Sequence, residues 1–72
     1  MPREEILAQL RTEKKLREEQ ISLLAEYDED SLPAKVRSVF IKNRQSAIGF
    51  DHQRITHIEQ MIAEIEANPE IL

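Results

Sequence analysis

Seventy-two residues, with ten basic and fourteen acidic side chains, make one small domain with a net charge of −4. The chain has no cysteine, no tryptophan and one glycine, which excludes a disulfide scaffold, a thiolate zinc site and a glycine-rich phosphate loop. It lacks the run of about 20 apolar residues that spans a membrane, and its acidic start is unlike a secretory signal. We therefore expect a cytoplasmic protein without a membrane anchor.

Residues 3–27 are predicted to form one amphipathic helix. Good helix formers dominate this segment, and neither glycine nor proline interrupts it. Pro2 suits the start of a helix, where its missing N–H costs nothing, and Glu4 and Glu5 suit the positive end of the helix dipole.

Residues 28–32 are predicted to form a short loop. Asp28, Glu29 and Asp30 are three consecutive acids, which oppose the negative end of the preceding helix dipole. Ser31 is a good N-cap and Pro33 suits the first turn of a second helix. Because the loop is short, the two helices are expected to be antiparallel neighbours.

The second segment, residues 33–67, carries a seven-residue repeat of isoleucine at Ile41, Ile48, Ile55 and Ile62. Ile58 and Ile65 lie three residues beyond the last two, which is typical of a coiled coil or helical bundle. The same register places Arg37, Arg44 and Asp51 among the contact positions, so the segment lacks the continuous apolar seam of a regular coiled coil.

Gly49 leaves the continuity of this second helix open. Residues 46–51 offer a glycine C-cap followed by an Asp51 N-cap, which would give three helices. The unbroken isoleucine spacing across Gly49 favours a single helix, straight or kinked. Asn68 and Pro69 stop the helix, and the tail 68–72 is expected to fray.

These elements predict an all-α fold, an antiparallel helical hairpin with a three-helix alternative. A domain of about 60 residues hides only about 60% of its unfolded surface. Folded chains of this size are usually stabilised further by a disulfide, a metal ion or a second subunit. We therefore predict self-association into a helical bundle, most simply a homodimer that forms a four-helix bundle.

No pattern for chemistry emerges from the polar residues. His52 and His57 are about 140° apart around a helix, so they do not share a face as metal ligands at i, i+4 do. No serine or threonine lies in a strand–turn–helix elbow, and no glycine is placed to help form an oxyanion hole. We predict no metal, no cofactor and no enzymatic activity.

Basic residues are concentrated in one segment. Residues 31–48 contain no acid and four bases, Lys35, Arg37, Lys42 and Arg44. The two arginines fall inside the apolar arc, which suits contact with an acidic protein surface. The two lysines alone make a thin phosphate-binding face, and the net charge opposes nucleic acid. A protein partner is therefore favoured, with nucleic-acid binding through residues 35–45 as the alternative.

The sequence thus predicts a non-catalytic protein-interaction module, a small regulator or adaptor that works through a helical surface. The basic residues would be interface charges or, in the alternative, phosphate contacts. The predicted interface consists of Val36, Phe40, Ile41, Ile48, Ile55, Ile58, Ile62 and Ile65.

Overall fold

The structure, a computed structural model, describes residues 2–68 and residue 70. Helix α1 spans Arg3–Glu26, a single 3-10 turn spans Glu29–Ser31, and helix α2 spans Ala34–Ala67. The two helices pack against each other as an antiparallel hairpin measuring 54 × 16 × 15 Å. No strand occurs among the described residues, so the prediction of an all-α helical hairpin is confirmed.

Helix α1 begins after Pro2, whose carbonyl accepts hydrogen bonds from the amides of Glu5 (3.1 Å) and Ile6 (3.3 Å). Glu4 and Glu5 lie in the first turn, where their charge is favourable to the helix dipole. The helix ends at Glu26, one residue before the predicted end, because Tyr27 has extended backbone angles.

The connection between the helices is held by its own polar groups. The Asp28 carboxylate accepts from the Asp30 amide at 3.1 Å, and the Ser31 hydroxyl donates to the Asp28 carbonyl at 2.7 Å. The prediction that Ser31 caps α2 is wrong, because Pro33 holds the N-cap position without a side-chain cap. The Ser31 hydroxyl instead closes the turn.

Helix α2 runs without interruption through Gly49, so the three-helix alternative is not seen. No atom lies within 4 Å of the place a Cβ would occupy at Gly49, so packing does not require a glycine there. The helix ends at Ala67 and is followed by the C-cap residue Asn68, whose backbone and side-chain N–H groups both donate to the Glu64 carbonyl at 3.1 Å. Of the predicted fraying tail, residues 69, 71 and 72 lie outside the described residues.

The apolar core is small and lies in one half of the hairpin. Among the described residues, the buried hydrophobic side chains are Leu7, Ile55 and Ile58, all remote from the turn. The other buried side chain is that of Asp51, near the midpoint of the rod. Neither helix, over the range that the structure describes, is long and apolar enough to cross a bilayer.

Candidate interaction surface

One row of α2 side chains faces the rest of the hairpin along its whole length. Residues seven apart lie on almost the same side of a helix, and this row consists of Arg37, Arg44, Asp51, Ile58 and Ile65. The row is therefore polar from the turn to the midpoint and apolar beyond it. The part of the hairpin between Asp51 and the turn is here called the turn-proximal half, and the remainder the turn-distal half. The polar members of the row supply hydrogen bonds within the turn-proximal half.

Asp51 is 99% buried and is bonded to two side chains of α1. Its Oδ1 accepts from the Arg17 guanidinium at 2.8 Å, and its Oδ2 accepts from the Gln20 amide at 2.7 Å. Both carboxylate oxygens therefore have a charged or polar donor, as a buried carboxylate needs.

Glu13 extends this cluster to the edge of the hairpin. Its carboxylate accepts from Arg54 at 2.7 and 3.1 Å and from Arg17 at 2.8 Å. These bonds, first with Arg54 and then with Arg17, lower the pKa of Glu13 from 4.5 to about 2. The Glu13 carboxylate raises the pKa of both guanidinium groups in turn. Two acids and two arginines, counting Asp51, thus form a polar cluster without net charge.

Arg44, the next polar member of the row, joins α2 to the turn. Its guanidinium forms an ion pair with Glu29 and approaches the Leu24 carbonyl at 3.5 Å. It also lies 5.3 Å from the centroid of the Phe40 ring, which packs 5.0 Å from the Tyr27 ring. A cation over an aromatic face adds an electrostatic attraction to this packing.

Arg37 satisfies backbone groups of the turn. Its guanidinium donates to the carbonyls of Glu29 (3.2 Å), Asp30 (3.4 Å) and Leu32 (3.0 Å). Both arginines that the sequence predicted as interface charges are therefore engaged inside the hairpin. The two lysines of the same segment, Lys35 and Lys42, are exposed.

Most residues of the predicted interface also lie inside the hairpin. Ile55 and Ile58 are buried, and in a structure of two helices only α1 is available to cover them. Val36 is exposed. The remaining five are half-buried: Phe40, Ile41, Ile48, Ile62 and Ile65. The isoleucine repeat therefore contributes to the contact between α1 and α2, and the most exposed hydrophobic side chains lie elsewhere.

The largest exposed hydrophobic side chains lie on a single side of the hairpin, here called the apolar face. By helical spacing, the exposed hydrophobic side chains of α1 lie on the same side of that helix as Glu13 and Gln20. The exposed hydrophobic side chains of α2 lie on the Arg54 side of α2. The Glu13–Arg54 ion pair joins these two flanks. The side chains of the apolar face are 48–71% exposed and belong to Leu16, Leu23, Tyr27, Val36, Val39 and Phe50.

The apolar face has uncharged polar residues at its centre and two exposed acidic residues, Glu19 and Glu26, at its α1 margin beside Leu23. Gln20, Asn43 and Ser46 lie between its hydrophobic side chains by helical spacing. At its edge the Arg17 guanidinium lies 5.3 Å from the Phe50 ring centroid, and that arginine is neutralised within the polar cluster. Of the six hydrophobic residues of this face, only Val36 belongs to the interface predicted from the sequence. The signal for this face was the seven-residue spacing of Leu16 and Leu23, which lie off the main apolar stripe of α1.

The remaining surface bears on two other kinds of site, a metal site and a polar groove. Among the described residues there is no group of three or more His, Asp or Glu side chains able to hold a metal ion. A groove on the opposite side of the hairpin is lined by charges of both signs, including the Arg11–Glu66 ion pair at 3.3 Å. The chain matches no family model, no curated protein and no solved structure.

Proposed function

We propose that this chain is a non-catalytic protein-interaction module, a small regulator or adaptor that binds through the apolar face and assembles into a helical bundle. The observation that carries the proposal is the exposure of six large hydrophobic side chains on one side of a thin hairpin. Clustering of exposed hydrophobic side chains on one side is typical of protein-binding sites, whereas isolated exposed hydrophobic residues are common on any protein.

The shape of the face favours a helical partner. Two antiparallel helices present a shallow groove between them, here flanked by Leu16 on α1 and Phe50 on α2. An amphipathic helix binds such a groove by placing its apolar stripe between the flanking side chains. Uncharged polar residues such as Asn43 supply hydrogen bonds at the rim without the desolvation cost of a charge.

The alternative, binding of nucleic acid through residues 35–45, has less support. Arg37 and Arg44 already donate to the turn and to Glu29. Lys35 and Lys42 are left to contact phosphate, and two contacts give little affinity in a chain of net charge −4. Phosphate binding would weaken steeply between about 50 and 200 mM salt, whereas an apolar contact would hardly respond.

Site-specific photocrosslinking tests the proposal. A photoreactive amino acid replaces Val39 on the apolar face or, as the matched control, Gln45, which is exposed and about 120° away around α2. In living cells the Val39 position is expected to give adducts that protease removes and nuclease does not. The Gln45 position is expected to give few. Equal labelling from both positions, or adducts sensitive to nuclease, would contradict the proposal.

A further inference from the structure

The hairpin exposes more surface than a folded monomer of its size. Its accessible surface is 5452 Å², whereas a folded monomer of 8.4 kDa is expected to expose about 4600 Å². Its radius of gyration is 16.5 Å, against about 11 Å for a compact domain of this length. The excess, about 800 Å², equals the area that each partner contributes to a standard protein–protein interface.

The charge of the apolar face is compatible with self-association. Each copy carries a net charge of −4, so two copies repel unless they meet where neither is charged. The centre of the apolar face meets this condition, because Gln20, Asn43 and Ser46 are uncharged and the edge cluster of Glu13, Arg17, Asp51 and Arg54 has no net charge. The acidic residues Glu19 and Glu26 lie at its margin on α1. A two-fold contact places identical patches against each other, so a charge at the centre of the contact would meet the same charge of the other copy.

We propose that a second copy of this chain occupies the apolar face, giving a two-fold symmetric bundle of four helices. The proposal rests on the proposed function, since it names the occupant of the same surface. The contact lies in the turn-proximal half of each hairpin, from the level of Leu16 and Phe50 to that of Tyr27 and Val36. The turn-distal half, where Leu7 and Ile58 are already buried, stays outside it.

Sedimentation equilibrium over a range of concentrations tests this assignment. The unaltered chain is expected to show twice its 8.4 kDa mass. Val39→Glu places a charge in the contact of both copies and is expected to raise the dissociation constant at least about tenfold. Gln45→Glu makes the same change of charge away from the face and is expected to leave the constant within about twofold. Val39→Leu, which keeps the apolar surface, is expected to stay dimeric.

Helix content by circular dichroism distinguishes loss of contact from loss of folding. Val39 is 57% exposed in the hairpin, so Val39→Glu is expected to retain its helices as a monomer. A monomer at every concentration of the unaltered chain would overturn the assignment of a second copy. Photocrosslinking of Val39 to another protein would then leave the proposed function in place. Equal dimerisation of Val39→Glu and Gln45→Glu would also overturn the assignment of a second copy to the apolar face, because the dimer would then use another surface.

Discussion

The two halves of the hairpin are closed by different interactions along the same row of α2. In the turn-distal half the row is apolar, and the buried side chains are Leu7, Ile55 and Ile58. In the turn-proximal half the row consists of Arg37 and Arg44, which bind carbonyl groups and a carboxylate of the turn region. The fully buried apolar side chains are therefore confined to the first half, whereas in the second half the row contributes directional hydrogen bonds beside half-buried isoleucines such as Ile41 and Ile48.

This difference accounts for the position of the apolar face. Where arginines occupy the inward row, large hydrophobic residues such as Val39 and Phe50 lie on the flank, and a hairpin of two helices cannot cover them. The turn-distal half therefore buries its large apolar residues internally, whereas the turn-proximal half leaves several of its own exposed. Asp51 lies at the boundary, and a slip of one helical turn would leave its buried carboxylate without Arg17.

The largest effect on stability is expected from the turn-distal core. Ile58 is completely buried, and Ile58→Ala is expected to lower the free energy of unfolding by about 2–5 kcal/mol through lost burial and a cavity. Leu23 is 71% exposed, and Leu23→Ala is expected to cost under about 0.5 kcal/mol in the monomer. Urea unfolding at a concentration low enough to avoid association measures both. Equal losses would show that the two halves do not differ as described.

An intermediate effect is expected at the boundary. Asp51→Asn keeps the shape of the side chain but turns one acceptor into a donor facing Arg17 or Gln20, which is expected to cost about 1–3 kcal/mol. Urea unfolding is again the measurement, and Glu59→Gln, which removes a charge from an exposed position of the same helix, is the control.

A second pair of variants separates burial from pairing at Asp51. Leucine at both position 17 and position 51 replaces the ion pair by apolar contacts, which often costs no stability. This double variant is expected to be more stable than Asp51→Leu alone, which leaves Arg17 without its buried partner. If the single and double variants unfold at the same urea concentration, the polar cluster does not couple the two helices.

The hairpin could be predicted from the sequence because its signals are local. Helix formers, the acidic break at residues 28–30 and the isoleucine repeat each act over a few turns. The sequence favoured a continuous α2 over a break at Gly49 but did not decide between them. A glycine inside a helix costs only about 1 kcal/mol, which is small enough for tertiary packing to determine whether the helix continues.

The candidate surface could not be predicted in the same way. The position of Arg37 and Arg44 inside the apolar arc was evident from helical spacing, but their partners were not. Those partners are carbonyls of the turn and Glu29, which come within reach only when the chain folds back. An apolar stripe likewise does not reveal which of its residues the neighbouring helix will cover. Ile58 and Val39 are both apolar members of α2, yet one is buried and the other exposed.

The smallest effect, and the one most specific to the polar cluster, is expected from acid titration of Glu13. Above the ordinary pKa of 4.5 this carboxylate is ionised in both the folded and the unfolded chain, so its bonds with Arg54 and Arg17 contribute fully. Between 4.5 and the folded value of about 2 the unfolded chain takes up a proton that the folded chain does not. Stability is therefore lost as the pH falls through this window.

Glu13→Gln is accordingly expected to be less stable than the unaltered chain near neutral pH and to approach it in stability towards pH 2. Thermal unfolding followed from pH 7 to pH 2 measures this convergence, with Glu19→Gln, an exposed position of the same helix, as the control for removal of a charge. Because Glu13 and Arg54 are partly exposed, 1 M salt is expected to narrow the difference by screening. A constant difference across the pH range would show that Glu13 contributes through packing and not through its charge, and the boundary between the two halves would then owe less to ion pairs than its geometry indicates.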